Sequence, residues 1–331
     1  MGLLRARHGL HAAAGAVMSV LLNASLMGSA LAQNFPERAL RLIIPFPAGG
    51  GTDLIARVLG QGLSGEIGQP VIIDNRPGAG TIIGTDAEAK APPDGYTLVV
   101  ATFANAANPG LKAKLPYDPE KAFAPVILLA RSPNVLVVRK ESPVKTVADL
   151  IASAKAKPGA LNYASQGIGT SAHLAGELFE SLAGADITHV PYRGASQALN
   201  DLISGQVDMM FATAAAVSSF LEAGNLRALG VTTAQRSPTQ KDIPTIAEAG
   251  VPGYAAESWY GIYAPAGTPR AIIDRLNSVI NKVLQSQDFR KRTEPEGLVI
   301  AGGAPEALDT YFKGEMIRWK KAIADAGIKP D

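Results

Sequence analysis

Short apolar runs alternate along this chain with stretches in which apolar residues recur every three or four positions. Residues 40–44 read as a buried strand, and Leu54, Ile55, Val58 and Leu59 then keep helical spacing towards residue 67. Strands are expected at 71–74 and 96–101, with a glycine loop and a helix reaching Lys90 between them. Residues 102–125 show weak periodicity and several prolines, so mostly loop with a short helix is expected. From Val126 the rhythm resumes, with strands at 126–130, 135–139, 161–165, 187–192, 207–212 and 226–232. Helices are expected between them at 147–156, 170–182, 195–203 and 215–223. A strand at 259–264, helical stretches at 270–285, 288–294 and 305–325, and a short strand at 298–301 complete the reading. Alternation of this kind predicts an α/β chain built on a parallel sheet.

Where the pattern changes from strand to helix, the chemistry concentrates. Ile44-Pro45-Phe46-Pro47-Ala48-Gly49-Gly50-Gly51-Thr52-Asp53 passes from a strand through three glycines into a helix. Backbone N–H groups at such a helix start lack partners and carry partial positive charge, and glycine admits a ligand close to them. Tyr163-Ala164-Ser165-Gln166-Gly167-Ile168-Gly169-Thr170-Ser171-Ala172-His173 repeats the design in the second half. One turn in each of two alternating blocks predicts two lobes, with the turns facing each other as a clamp for an acidic small molecule. The lobes are expected at residues 33–125 and 126–240, with 241–331 returning to the first and its C-terminal helices packing there.

Other constellations are weaker. Gly78, Gly80 and Gly84 only approach a dinucleotide fingerprint, and no acid ends the following strand. The opening glycines lack the Gly-Lys-Ser/Thr ending of a nucleotide loop. His173 and His189 form no metal pair at helical spacing, and Ser165 has no histidine–acid pair assignable from sequence. Asp53, in the first helical turn, would repel an anion if it faced one, so it is expected to point away or to orient Thr52. Asp208 reads either as a strand-end acid or as a buried acid with partners in the second lobe. No metal, cofactor or catalytic residue is predicted.

Charge and composition narrow the picture further. Arg5 and Arg7 precede an apolar stretch at 12–22, and Ala30-Leu31-Ala32 places small residues where a signal peptidase reads. A cleaved signal at 1–32, a mature start near Gln33 and a soluble protein of a bacterial periplasm are expected. The 31 basic residues lose Arg5 and Arg7 with that segment and then match the 29 acids. No basic stripe remains, so nucleic-acid binding is not expected. The chain holds no cysteine, which removes disulfides, thiol nucleophiles, thiolate metal sites and a lipid anchor.

Taken with Asn75-Arg76-Pro77-Gly78-Ala79-Gly80, Pro93-Asp94-Gly95-Tyr96-Thr97-Leu98 and Val190-Pro191-Tyr192-Arg193-Gly194, the two turns carry a resemblance. So do Gly205-Gln206-Val207-Asp208-Met209 and Ala264-Pro265-Ala266-Gly267-Thr268-Pro269. In order and across the mature chain, these stretches resemble the Bug-type periplasmic receptors of tripartite tricarboxylate transport systems. The resemblance implies a two-lobed, hinged periplasmic binding protein fold of type II-like topology. It implies a non-enzymatic, monomeric receptor that holds a small organic carboxylate and serves the membrane components of such a transporter. A secreted hydrolase or sensor input using the same cleft is the alternative. Phe46, Gly49, Gly50, Gly51 and Thr52 would line one side of the site, and Ser165, Gly167, Gly169, Thr170 and Ser171 the other. Thr102, Phe103, Thr213 and Trp259 would meet the ligand's far end. On this reading a side chain at Gly50 blocks the backbone site, and Arg193 lies outside both clamps.

Overall fold

The computed structural model describes residues 35–238, 240–295, 297–325, 327–328 and 330. The expected export segment lies outside the described residues. Strand β1 (Leu40–Ile44) sits between β2 (Val71–Asn75) and β3 (Thr97–Thr102), all parallel. Strand β9 (Glu257–Pro265) runs antiparallel to β3 and also to β4 (Phe123–Arg139). β4 continues into a second sheet, where residues 134–139 lie between β7 (Met209–Thr213) and β8 (Leu226–Val231). Beyond β7, in parallel, come β5 (Asn162–Ser165) and β6 (Thr188–Pro191). A two-residue β10 (Val299–Ile300) pairs with β4.

The expected parallel sheet is therefore a mixed one. Parallel neighbours need a crossover helix, but the segment between β8 and β9 contains no helix among the described residues and returns the chain directly. The strands expected at 126–130 and 135–139 are one strand of 17 residues. Its first eleven residues run along β9 in the first sheet, with register shifts at Val126 and Leu129, and it enters the second sheet only at Asn134. There the crossing segments are tied together. Asn134 N–H donates to Thr232 Oγ1 at 2.9 Å, Thr232 N–H to the Asn134 carbonyl at 2.9 Å, and Ala256 N–H to the Thr232 carbonyl at 2.7 Å.

Helices α1 (Gly51–Ile67), α2 (Ile82–Ala89) and α3 (Phe103–Leu111) follow the first-sheet strands. The second sheet carries α4 (Val147–Ala156), α5 (Ser171–Ala183), α6 (Ala195–Ser204) and α7 (Ala214–Glu222). The period-two alternation of a strand divides β1 between two cores. Leu40, Leu42 and Ile44 bury against Ile55, Leu59 and Leu63 of α1 and against Ile273, Leu276 and Ile280 of α8 (Arg270–Gln285). Ile43 faces the other way, into a core with Phe312 and Trp319 of α10 (Pro305–Asp325) that reaches Phe179 and Phe211 in the second lobe. A third cluster packs α6 and α7 on β4 and β7 through Leu199, Leu202, Val217, Val135 and Ala212. Each such side chain, fully buried, contributes about 1.5–3 kcal/mol. The last helical stretch, α9 (Gln287–Thr293), starts at Ser286, whose hydroxyl accepts from Phe289 N–H.

Candidate functional site

Helices α1, α5, α6 and α7 each begin where a strand or short turn ends, and their first turns gather between the two sheets. None of the four has a side-chain cap, whereas α4 and α9, elsewhere on the molecule, are capped by Thr146 and Ser286. An uncapped helix start keeps N–H donors without an intrahelical partner, and those donors suit an anion.

Two adjoining cavities lie there. The inner, about 240 Å³, is lined by Phe46, Gly50, Gly51 and Thr52 of the first lobe, and by Gly194, Ser196, Gln197 and Thr213 of the second. The outer, about 680 Å³, lies between the loop from Pro77 to Thr81, Lys112, and the second turn at Gly167, Ile168 and Thr170. Phe46, Pro47, Gln166 and Arg193 belong to both walls. The two glycine turns thus do not face each other directly. The first opposes the starts of α6 and α7: a Cβ on Gly49 would stand 3.5 Å from Ser196 Oγ, and one on Gly51 3.1 Å from Thr213 Oγ1. The second opposes α3 and the glycine loop before α2, with Gly169 over Leu111 and Asn108.

Of the residues expected at the site, Phe46, Gly50, Gly51, Thr52, Gly167, Thr170 and Thr213 stand on these walls. The others do not. The Gly49 N–H donates to Asp53 Oδ2 at 3.0 Å. Asp53 is turned back into its own loop, where it also accepts from Arg57 Nε at 2.8 Å and Asn75 Nδ2 at 3.0 Å. Burial pushes its carboxyl up, but Arg57, the Gly49 N–H and Asn75 outweigh that and hold it below its ordinary value. Asp53 therefore points away from the site, as expected, and it fixes the turn through Gly49 rather than through Thr52.

Ser165 is buried, and its hydroxyl is spent on the second turn and on His189 Nε2 at 2.7 Å. Sequence alone assigns it no histidine. Gly169 N–H donates to His173 Nδ1 at 3.3 Å, and Ser171 Oγ donates to Asn134 Oδ1 at 3.3 Å at the crossing of the lobes. Even on the wall, the Thr170 hydroxyl donates to the Gly167 carbonyl at 2.7 Å. Thr102 ends β3 and donates its N–H to Asn105 Oδ1, and Phe103 stacks edge-on against Trp319 at 4.4 Å. Trp259 is fully buried against Tyr311 and Phe312. Strand alternation explains that placement: Trp259 faces α10, so its neighbour Tyr260 faces the opposite core, behind the start of α1. The Tyr260 hydroxyl would lie 3.4 Å from a Cβ on Gly51. Burial pushes it up to about 12, with the Thr213 and Ser258 hydroxyls partly offsetting that.

Gln166, Arg193 and the start of α6 are wall residues that sequence reasoning missed. Only Gly194, a glycine opening a helix, offered a local signal.

Behind the second turn, His173, Glu177 and His189 bring ligand atoms within 4.8 Å of one another. The two imidazoles stack, with centroids 4.3 Å apart and planes tilted by 38°. Ring-plane lone pairs therefore run alongside one another rather than toward one point. Each partner is also engaged: His189 by Ser165, His173 by Gly169, and Glu177 by the Tyr163 hydroxyl at 2.7 Å. Burial holds both histidines below their ordinary value, His189 at about 3 with His173 adding to the effect. The two imidazoles stay neutral and brace the turn. Asp208 does similar work at the edge of β7, where it accepts from Asn162 N–H at 2.9 Å while its own N–H donates to Asn162 Oδ1.

Known proteins resemble this chain in sequence and fold. Residues 55–328 match the family model described as the tripartite tricarboxylate transporter family receptor. Protein BugT of Bordetella pertussis is 36% identical over 317 residues, 95% of this chain and 97% of its own. A protein of R. palustris solved with adipate is 41% identical, with a TM-score of 0.87 over 90% of this chain and all of its own. MatC of Rhodopseudomonas palustris, solved with bound malate, is 34% identical, with a TM-score of 0.83 over 87% of this chain and all of its own. With the two-lobed α/β fold and its uncapped cleft in hand, the chain belongs to the receptor family of the tripartite tricarboxylate transporters.

Proposed function

We propose that this protein is an extracytoplasmic receptor that binds a small organic carboxylate between its lobes and delivers it, as a monomer, to the membrane components of a tripartite tricarboxylate transporter. The observation that carries this reading is the convergence of the uncapped starts of α1, α6 and α7 on the inner cavity. One carboxylate group sits there against the N–H groups of the first turns, with Thr52, Ser196 and Thr213 near it. No wall residue of either cavity is an acid, so nothing repels the anion. Relatives solved with adipate and malate support a carboxylate as the ligand class. Binding and release, with no bond made or broken, is the whole of the chemistry. The lobes close over the ligand by bending where the chain crosses at Asn134 and Thr232.

Calorimetry on a panel of organic acids, each paired with its primary amide, tests the reading. Acids should bind one per chain and their amides should not. At about a hundred times its dissociation constant, a bound acid adds roughly 2.7 kcal/mol of stability, a shift of several degrees in melting temperature. A panel in which amides bind as tightly as acids would overturn it.

A further inference from the structure

The crossing of the lobes has a second side. Neighbouring side chains of a strand point to opposite faces. In β4, Asn134 accepts from Ser171 Oγ at the start of α5, while Arg131 and Pro133 line a depression of about 630 Å³. That depression shares no lining residue with the two cleft cavities. One wall is Trp319 and Ala322 of α10, with Arg131 and Glu257 of the first sheet. The other is Leu178 of α5 and residues 233–238 of the segment returning from β8. The Tyr254 hydroxyl donates to the Ala175 carbonyl at 2.8 Å, which joins α5 and the returning segment into one body.

The ion pairs around the depression each stay within a wall: Arg131 with Glu257 at 3.9 Å, Arg318 with Glu315 at 3.0 Å, Arg236 with Glu248 at 2.9 Å. Arg318 Nη2 reaches the Ala255 carbonyl at 2.6 Å beside the crossing itself, where the Ala256 N–H donates to Thr232. In the cleft the lobes already touch. A Cβ on Gly51 would stand 3.1 Å from Thr213 Oγ1, and one on Gly194 3.2 Å from Pro47 Cγ. The depression thus stands open while the cleft is shut.

Resting on the lobe closure proposed above, we infer that the depression is a counter-gap to the cleft, and that filling it holds the receptor closed. The crossing at Asn134, Thr232 and Ala256 lies between the two openings, so a bend there moves their walls in opposite senses. Opening the cleft brings α10 toward Leu178 and the returning segment. Packed protein yields little to compression, so a side chain standing in the gap opposes opening and leaves closing free. The closed fraction of the unliganded protein then rises, and the apparent dissociation constant falls in proportion.

Tryptophan placed on either wall tests this. Ala322→Trp fills the gap from α10, and Ala234→Trp fills it from the returning segment. Ile317→Trp, at an exposed position of α10 outside the depression, is the control. Small-angle scattering of the unliganded proteins should give both gap variants a smaller radius of gyration than wild type and control. For whichever of succinate and benzoate wild type binds, calorimetry should show both gap variants binding about threefold more tightly or better. A folded gap variant that scatters like wild type, or binds more weakly, overturns the inference. If saturating acid still compacts wild type in that case, lobe closure itself stands. Wild type that binds an acid without compacting overturns closure and the counter-gap together. The scattering comparison needs no ligand, so it decides the inference even where the carboxylate reading fails. Circular dichroism melting establishes that each variant is folded.

Discussion

Gly80 and Ile168 belong to opposite lobes, and a Cβ on Gly80 would stand 2.8 Å from the Ile168 carbonyl oxygen. No side chain fits that gap, because the obstacle is backbone. Gly80 also has φ +60, and its neighbours Ala79 and Thr81 hold φ +48 and +83, a left-handed run that side chains resist. Asn108 steadies the loop by donating from Nδ2 to the Gly80 carbonyl at 2.9 Å.

Gly80→Ala should therefore hold the lobes apart at the outer cavity. The expected result is a larger radius of gyration in the liganded state than wild type shows, with weaker binding. Small-angle scattering with and without saturating acid checks it, and identical liganded curves for the two proteins would count against the contact as a limit on closure.

The first turn separates two neighbouring glycines. Gly50 has φ −97, and a Cβ there meets nothing within 4 Å. Gly51 would place its Cβ 3.1 Å from Thr213 Oγ1 and 3.2 Å from the Ala215 Cβ, across the cleft. A side chain at Gly50 would thus enter the cavity itself, where the expectation has it block the backbone site, whereas one at Gly51 would press on the second lobe. Gly50→Ala should leave affinity within about threefold, while Gly51→Ala should weaken acid binding by tenfold or more, roughly 1.4 kcal/mol. Calorimetry on the two variants decides between them.

How far the sequence revealed this site follows from the range of the forces involved. Periodicity and turn glycines act within a few residues, and they identified both glycine turns and the helices that follow them. Which turn faces which is a tertiary matter. Nothing near Gly51 in sequence says that Thr213 will lie across from it, and nothing near Arg193 says that both cavities end at its turn. Trp259 shows the sharpest limit: a strand's facing is settled by a register of one residue, and 259 and 260 are equally apolar-compatible. The engaged N–H groups of Gly49 and Gly169 depend on Asp53 and His173 folding back on their own turns. Their one-letter pattern suits an open anion site just as well.

Glu88 in α2 is fully buried, with neither carboxylate oxygen hydrogen-bonded among the described residues, and burial pushes it up to about 9. Its folded value lies above the unfolded one, so its share of stability is complete below about pH 4.5. That share is lost as pH rises toward 9. Glu88→Gln keeps the shape without the ionisation. The variant's stability advantage should widen by a few kcal/mol, on the order of the linkage limit, between pH 5 and pH 9. Urea unfolding at both values measures it, and a constant difference would mean that Glu88 ionises freely in the folded chain.

The strand β4 has a last consequence. Because one strand belongs to both sheets and is tied to the returning segment at Asn134, Thr232 and Ala256, the lobes share a common backbone at the place where they would bend. Movement between them flexes a hydrogen-bonded ladder, and the restoring force grows with the angle. Such a receptor behaves as a leaf spring. Its ligand works against elastic strain that returns on release, so the affinity measured at the cleft already contains the stiffness of residues far from it.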